Sequence, residues 1–338
     1  MSELEVTLVT RDGAELRFPC AQAENVLGAS EAAGYYLPAM CHEGTCGLCH
    51  ARVTEGKYTM GPHNSAALRA DVPGEVLLCR CSPDEDLTVA LPYNQAQILR
   101  YKVPVRQAVI ETMAPAWQDA VALTLRLQPD AATGTAVEFS PGQYMELTIP
   151  GTEIRRAYSL ANLPNWEGRL DFLIRLAPNG MFSTWLREQA RVGDAITVRG
   201  PSGSFILDET SVRPRCFVGG GCGLAPILSM LRHLGEFQDS QPTHLIFGAN
   251  RQAELVPAAE VEAVSAALPQ LGVTLAVTSP EEGWQGFQGT APAALEVYLS
   301  QADEPMDIYA CGPPKMLEAV EKLVEKRGRG DRVIAERL

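Results

Sequence analysis

The 338 residues are too many for one ordinary core, and at roughly 100 to 200 residues per domain they point to two or three. Hydrophobic residues make up 46% and charged residues 20%, a globular balance, and a formal charge of -13 leaves no basic stripe for a phosphate backbone, which excludes nucleic acid as a partner. The opening MSELEVTLVTRDG is acidic where a secretory leader is basic and then apolar, and no run of about 18 apolar residues occurs, so a cytoplasmic location without membrane insertion is expected.

In chain order, LEVTLVTRDGAELRFPC alternates apolar and polar residues about Asp12-Gly13, the signal of a β-hairpin. NVLGASEAAG reads as a short helix stopped by Gly34. Strands follow in HARVTEGKY and DLTVALPY, so residues 1–95 form a small α+β unit, too small to be stable without a staple. The cysteines supply one. Nine is an odd number, and five of them, Cys41, Cys46, Cys49, Cys79 and Cys81, crowd together early while Cys216, Cys222 and Cys311 lie far away. In a reducing compartment such a cluster reads as metal ligands before disulfides.

Cys41-x4-Cys46-x2-Cys49, followed after 29 intervening residues by Cys79, is the ligand spacing of plant-type [2Fe-2S] centres. Four thiolates around two irons and two sulfides leave a negative cluster, which needs backbone N–H groups aimed at sulfur and a tightly wrapped loop. Gly44 and Gly47 suit that loop because glycine tolerates positive φ. A structural zinc site is the alternative, although such sites more often show two Cys-x2-Cys pairs or histidine ligands. Cys81 rivals Cys79, which fits better because it closes the LLCR strand end, while His42 and His50 each neighbour a cysteine and point elsewhere. Residues 1–95 resemble a plant-type ferredoxin domain of β-grasp fold. They also carry 13 Asp/Glu against 6 Lys/Arg, an excess that serves solubility or offers an acidic docking face to a basic protein partner.

Residues 96–106 read as a linker, and residues 107–208 as strands between turns, in AVALTLRLQ, GQYMELTIPG, RLDFLIRL and DAITVRGPSG, with one helix in MFSTWLREQA. Such spacing suggests an antiparallel β-barrel. RRAYSLAN holds Arg156, Tyr158 and Ser159, and about twenty residues on PNGMFSTWL holds Gly180 and Ser183. A cation beside an aromatic and a hydroxyl can grip a diphosphate, cover a ring face and hydrogen-bond a flavin nitrogen, while a helix start takes the phosphate end. Together with the strand entry Pro141-Gly142-Gln143, these residues resemble the FAD domain of the ferredoxin-NADP reductase superfamily. The resemblance implies Arg156, Tyr158 and Ser159 at the flavin, with Gly180 and Ser183 completing the site.

The last segment, 209–338, alternates strands (RCFVGGG, THLIFGAN, DIYACGPP) with helices, and KMLEAVEKLVEKRG spaces Met316, Leu317, Val320, Leu323 and Val324 helically before Gly328. That order gives an α/β domain with a parallel sheet. Gly220-Gly221-Cys222-Gly223 joins a strand to a helix, the device that brings a pyrophosphate onto a helix start; it is not the dehydrogenase fingerprint, whose third glycine falls on Leu224 or Pro226. Cys311-Gly312-Pro313 stands at a strand's C-terminal end, where open parallel sheets bind ligands. Both segments match the same superfamily, which implies Cys311 close to the nicotinamide, with Ser159 and Cys311 as catalytic groups. Cys222 departs from the threonine usual there, and the terminal IAERL lacks the aromatic that relatives place against the flavin. Glu254 is a candidate for the ribose hydroxyls and points to NADH, while Arg251 keeps NADPH open.

The order of ferredoxin, FAD and nicotinamide segments resembles the one-chain reductases of multicomponent oxygenases. Within them it looks most like the reductases of soluble methane monooxygenase and related di-iron hydrocarbon monooxygenases, with benzoate dioxygenase reductase next. The resemblance implies electrons passing from NADH to FAD to [2Fe-2S] and on to a separate oxygenase (hydroxylase) component. No histidine has a glutamate three residues before it, and no Cys-x-His pair occurs, so the sequence offers neither a bundle di-iron site nor a Rieske centre of its own. A Rieske dioxygenase as partner, and a zinc-stabilised module fused to a flavin reductase, stay open as alternatives.

Overall fold

The computed structural model describes residues 3–39, 41–68, 72–100, 103–131, 134–255 and 257–337. It divides the chain into two compact units, Met1–Pro104 with Ser202–Ser204, and Val105–Pro201 with Phe205–Leu338.

The first unit is a five-stranded sheet in the order Glu15–Ala21, Glu3–Val9, Leu87–Ala90, His50–Glu55, Glu75–Leu77. The hairpin pairs Val6 with Phe18 and Leu8 with Leu16, so the sequence alternation becomes one buried face. Gly13, at φ 83°, turns it. Leu87–Ala90 then runs parallel to Glu3–Val9. The helix Val26–Ala32 is capped by the Asn25 side chain, which accepts the Gly28 N–H, and it buries Val26, Leu27 and Ala29 on the sheet. Of the stretch 96–106 expected as linker, Ile98 is buried in this core and Leu99 exchanges backbone hydrogen bonds with Tyr36 at 3.0 and 3.1 Å, so the chain leaves the unit later, near Pro104.

The second unit begins with a six-stranded antiparallel sheet in the order Arg155–Ser159, Tyr144–Thr148, Ala195–Ser202, Val105–Trp117, Ala120–Leu127, Arg169–Arg175. A bridge between Leu160 and Phe172 joins its outer strands and closes a barrel around Ile110, Leu125, Leu147 and Ile196. The helix Met181–Glu188 lies where MFSTWLREQA placed it.

A six-stranded parallel sheet follows, in the order Phe287–Gln288, Leu271–Val277, Thr243–Ala249, Arg215–Gly220, Asp307–Gly312, Arg332–Arg337. Helices Leu224–Glu236 and Ala258–Ala267 share one core with its first face, and Ala291–Ser300 and Pro314–Arg327 share another with its second. Both central strands are buried at every position, as coverage on two faces demands. Leu317, Val320 and Val324 face inward from the last helix, and Gly328 ends it in the left-handed conformation. Ser229 donates to the carbonyl of Asn162 at 2.7 Å and Arg232 to that of Ala161, tying the helix after the glycine turn to the end of the barrel strand Arg155–Ser159.

Candidate functional site

In the first unit, the loop before strand His50–Glu55 wraps around its own cysteines. Three backbone N–H groups, of Glu43, Thr45 and Cys46, donate to the Cys41 sulfur at 3.3 to 3.4 Å, and that of Leu48 donates to the Cys46 sulfur at 3.5 Å. The wrap uses Gly44 and Gly47 at φ 74° and 78°; a Cβ on Gly44 would stand 2.8 Å from the His63 side chain, and one on Gly47 2.9 Å from the Ala67 carbonyl. Cys79 arrives from the turn after Glu75–Leu77, where the Leu78 N–H donates to the Cys49 carbonyl at 3.0 Å, and the Cys49 and Cys79 sulfurs stand 3.4 Å apart, both buried.

The other two sulfurs join this pair. The thiols of Cys46 and Cys79, with Thr45, hold the Cys41 thiol well below its ordinary range, while closeness to Cys41 pushes those of Cys46 and Cys79 up. Four sulfurs this close cannot all be thiolate without positive charge among them. Four sulfurs, with backbone donors aimed at those of Cys41 and Cys46, fit a two-iron cluster. Cys81, the rival fourth ligand, is fully buried with Cys20 as its charged-state neighbour, and burial pushes its thiol up to about 12.

In the second unit, the barrel strand Arg155–Ser159 presents the flavin motif. Arg156 is half-buried and donates to the Arg155 carbonyl at 2.7 Å. The Tyr158 ring rests on Phe182, with centroids 5.1 Å apart, and burial raises its hydroxyl. Ser159 is buried and donates to the Glu336 carboxylate at 3.3 Å. Gly180 opens the helix Met181–Glu188 without a side-chain cap, leaving first-turn N–H groups for an anion. Ser183 is already engaged, accepting the Ala177 N–H at 3.0 Å and donating to the Arg175 carbonyl at 3.4 Å, so it braces the loop before the helix. Gly142 is at φ 104°, and a Cβ there would run into the Phe205 carbonyl; the Pro141-Gly142-Gln143 turn thus needs its glycine for packing.

The parallel sheet delivers the remaining residues. Gly220 ends the strand Arg215–Gly220, and Gly221 to Gly223 form one tight turn into the helix Leu224–Glu236. Gly223 packs so closely on the neighbouring strand that a Cβ would meet the Cys311 carbonyl. Cys311 is wholly buried between Gly219 and Glu336, its register partners on either side, and Gly312 and Pro313 lead from it into the helix Pro314–Arg327. Burial holds its thiol protonated, helped by Glu336 and Cys222 nearby. Burial likewise pushes the Cys222 thiol up to about 12, with Arg175 opposing.

Ser159, Cys222, Cys311 and Glu336 therefore meet at one place, where the barrel strand faces the sheet's C-terminal edge. Glu254 does not join them: it lies in the turn Gln252–Glu254 and accepts the Asn250 N–H at 3.2 Å. Glu336 is the residue that sequence reasoning missed. Its carboxyl is 1% exposed, one of its oxygens has no partner, and burial raises it to about 8 against the pull of Ser159. The signal was a lone acid in the apolar run VIAE, in a segment read only for its missing aromatic.

Comparisons with known proteins follow this layout. Family models match residues 9–84 as a 2Fe-2S iron-sulfur cluster binding domain, 107–206 as an oxidoreductase FAD-binding domain and 217–322 as an oxidoreductase NAD-binding domain. The chain is 32% identical to the electron transfer component of toluate 1,2-dioxygenase from Pseudomonas putida, over 94% of this chain and 93% of that protein. It is 36% identical to component C of methane monooxygenase from Methylosinus trichosporium, over 87% of this chain and 86% of the relative. In structure it is similar to a cytochrome P450 reductase from Amycolatopsis, with a TM-score of 0.74, 27% identity and 98% of each chain covered. Among the described residues no helix is long and apolar enough to cross a membrane.

Proposed function

The chain belongs to the iron-sulfur flavoprotein reductases that feed multicomponent oxygenases, and we propose that its two units divide the work between hydride acceptance and single-electron delivery. It is an oxidoreductase with [2Fe-2S], FAD and NAD sites. Bound FAD takes two electrons at once from NADH and gives them up singly, which is the form the iron-sulfur cluster accepts.

The residues' roles follow from their surroundings. Cys41, Cys46, Cys49 and Cys79 hold the cluster, and the amides of Glu43, Thr45, Cys46 and Leu48 offset its negative charge. Tyr158, on its Phe182 support, flanks the flavin ring, Arg156 meets the diphosphate, and the open start of the Met181–Glu188 helix takes its phosphate end. Gly220 to Gly223 let the NADH pyrophosphate approach the helix Leu224–Glu236, and Gly312 and Pro313 shape the ledge beside it.

Cys311 stays a neutral thiol and offers a small soft surface to the nicotinamide, with water kept out. Ser159 donates to whichever acceptor lies before it, Glu336 or the flavin ring. With its carboxyl raised to about 8, Glu336 holds a proton at neutral pH on the oxygen that Ser159 does not use; it would give that proton to a bound flavin ring as hydride arrives and take it back as the two electrons leave, so that the carboxyl is reset each cycle. Glu254 fixes the turn at the ribose end, which supports NADH over NADPH.

The partner we propose is the hydroxylase of a di-iron hydrocarbon monooxygenase, supported by the 36% identity to the methane monooxygenase component. A Rieske-type ring dioxygenase is the second reading, supported by the toluate relative's fuller coverage. The observation that carries the proposal is the gathering of four cysteine sulfurs in one unit while Ser159, Cys311 and Glu336 gather in the other. Anaerobic mixing with NADH tests it: flavin absorbance should bleach first and cluster absorbance after it. Simultaneous loss, or loss of the flavin band alone, would count against it. Reconstitution with each oxygenase class then separates the two partners.

A further inference from the structure

Arg80 directly follows Cys79 and is fixed against the cysteine loop at both backbone and side chain. Its N–H donates to the Leu77 carbonyl at 2.8 Å, and its own carbonyl accepts the Gly61 N–H at 2.8 Å. Its stem runs past two glycines: a Cβ on Gly44 would stand 2.9 Å from the Arg80 Cγ, and one on Gly61 3.7 Å from its Cδ. Gly44 lies in the middle of the loop whose amides, from Glu43, Thr45 and Cys46, point at the Cys41 sulfur. Arg80 therefore touches the loop of one ligand group while being bonded to the ligand that arrives from elsewhere. Its Nε is enclosed without a hydrogen-bond partner. An enclosed donor without an acceptor is disfavoured, and an uncharged stem such as methionine would follow the same path without that penalty.

We propose that Arg80 is a positioning residue for charge: it holds a cation against the iron-sulfur loop and so makes the cluster easier to reduce. The proposal rests on the reading of Cys41, Cys46, Cys49 and Cys79 as cluster ligands. One Cα step of about 3.8 Å separates Arg80 from Cys79, and the pinned stem keeps its charge within roughly 10 Å, about one Debye length, of that ligand. Reduction adds one negative charge to the cluster, and a fixed cation nearby stabilises that form more than the oxidised one. No hydrogen bond to sulfur is needed for this. Residues 1–95 carry 13 Asp/Glu against 6 Lys/Arg, so the surrounding charge opposes the incoming electron and Arg80 counters it where the electron arrives. Arginine stays protonated throughout, so the effect does not titrate.

The test is an anaerobic redox titration of the cluster, followed by electron paramagnetic resonance, in full-length protein. Arg80→Met and Arg80→Lys place two unbranched stems of similar length on the same path, one neutral and one charged. The Met form should keep its iron and sulfide and shift the reduced-to-oxidised ratio at fixed potential about fivefold toward oxidised, about 41 mV for a one-electron couple. The Lys form should stay close to wild type. Arg80→Gln, neutral but polar, decides the matter if the Met form loses its cluster. A packing role for the stem predicts that Lys and Met act alike. Intact clusters with equal shifts in both, or with no shift in either, would overturn the Arg80 assignment alone; a wild-type chain without iron and sulfide would overturn the cluster reading as well.

Discussion

The two sites are held by opposite means. Around Cys41, backbone amides of a single loop point at sulfur, and glycines at φ 74° and 78° let the loop close. Around Cys311 no loop does the work: Ser159, Cys222, Cys311 and Glu336 come from four separate segments, and burial tunes them, raising Glu336 to about 8 and Cys222 to about 12. A site made of local backbone keeps its chemistry as long as the loop keeps its shape. One made by burial keeps it only while barrel and sheet exclude water together. The two should therefore fail independently, and in different ways.

The largest effect expected is from Cys49→Ser. It should abolish cluster absorbance and electron transfer to a one-electron protein acceptor, while NADH-dependent reduction of a small dye continues at close to the wild-type rate. A parallel loss of dye reduction would break the independence of the two sites. Next comes Glu336→Gln, which should slow flavin reduction by NADH about a hundredfold, within the span of general acid-base effects, and leave the cluster's spectrum unchanged. Stopped-flow absorbance reads both.

The same residue sharpens the contrast through pH. The Glu336 carboxyl is raised from 4.5 in the unfolded chain to about 8 in the fold, so the folded form binds a proton that the unfolded form releases. Its stabilising contribution is complete below about pH 4.5 and lost as pH rises toward 8, on the order of a few kcal/mol. Glu336→Gln should remove that slope, melting like wild type near pH 5 and later than wild type near pH 8 in thermal unfolding of the flavin-loaded protein. No gain at pH 8 would mean the carboxyl ionises without cost.

Gly47→Ala is expected to be milder. Its positive φ costs a side chain about 1 to 2 kcal/mol, and the Cβ would press on the Ala67 carbonyl, so cluster content after purification should fall without touching flavin reduction. The smallest effect concerns docking. With 13 acidic residues against 6 basic ones in residues 1–95, transfer to a basic partner should slow several-fold between low and moderate salt, read as the association rate.

This contrast also explains what was legible in the sequence. The cysteine loop could be read because its ligand candidates fall close together and glycine marks where the loop must turn tightly. The parallel-sheet domain could be read from glycine turns and continuous apolar strands such as RCFVGG. The barrel was only half readable. The 13-residue strand Val105–Trp117 carries two irregularities in its pairing that blur alternation, and Arg155–Ser159 reads as a motif before it reads as a strand. Glu336 was invisible because nothing local distinguishes a buried acid from a solvated one. Only its pairing opposite Cys311, and the barrel strand that brings Ser159 to it, give it meaning.

Counting electrons tests the division of labour most directly. Anaerobic titration with NADH should consume about one and a half equivalents per chain, two electrons for the flavin and one for the cluster, alongside two irons and two sulfides per chain. An endpoint at one equivalent, with a single metal ion bound by the cysteines, would leave the first unit without a role in electron transfer.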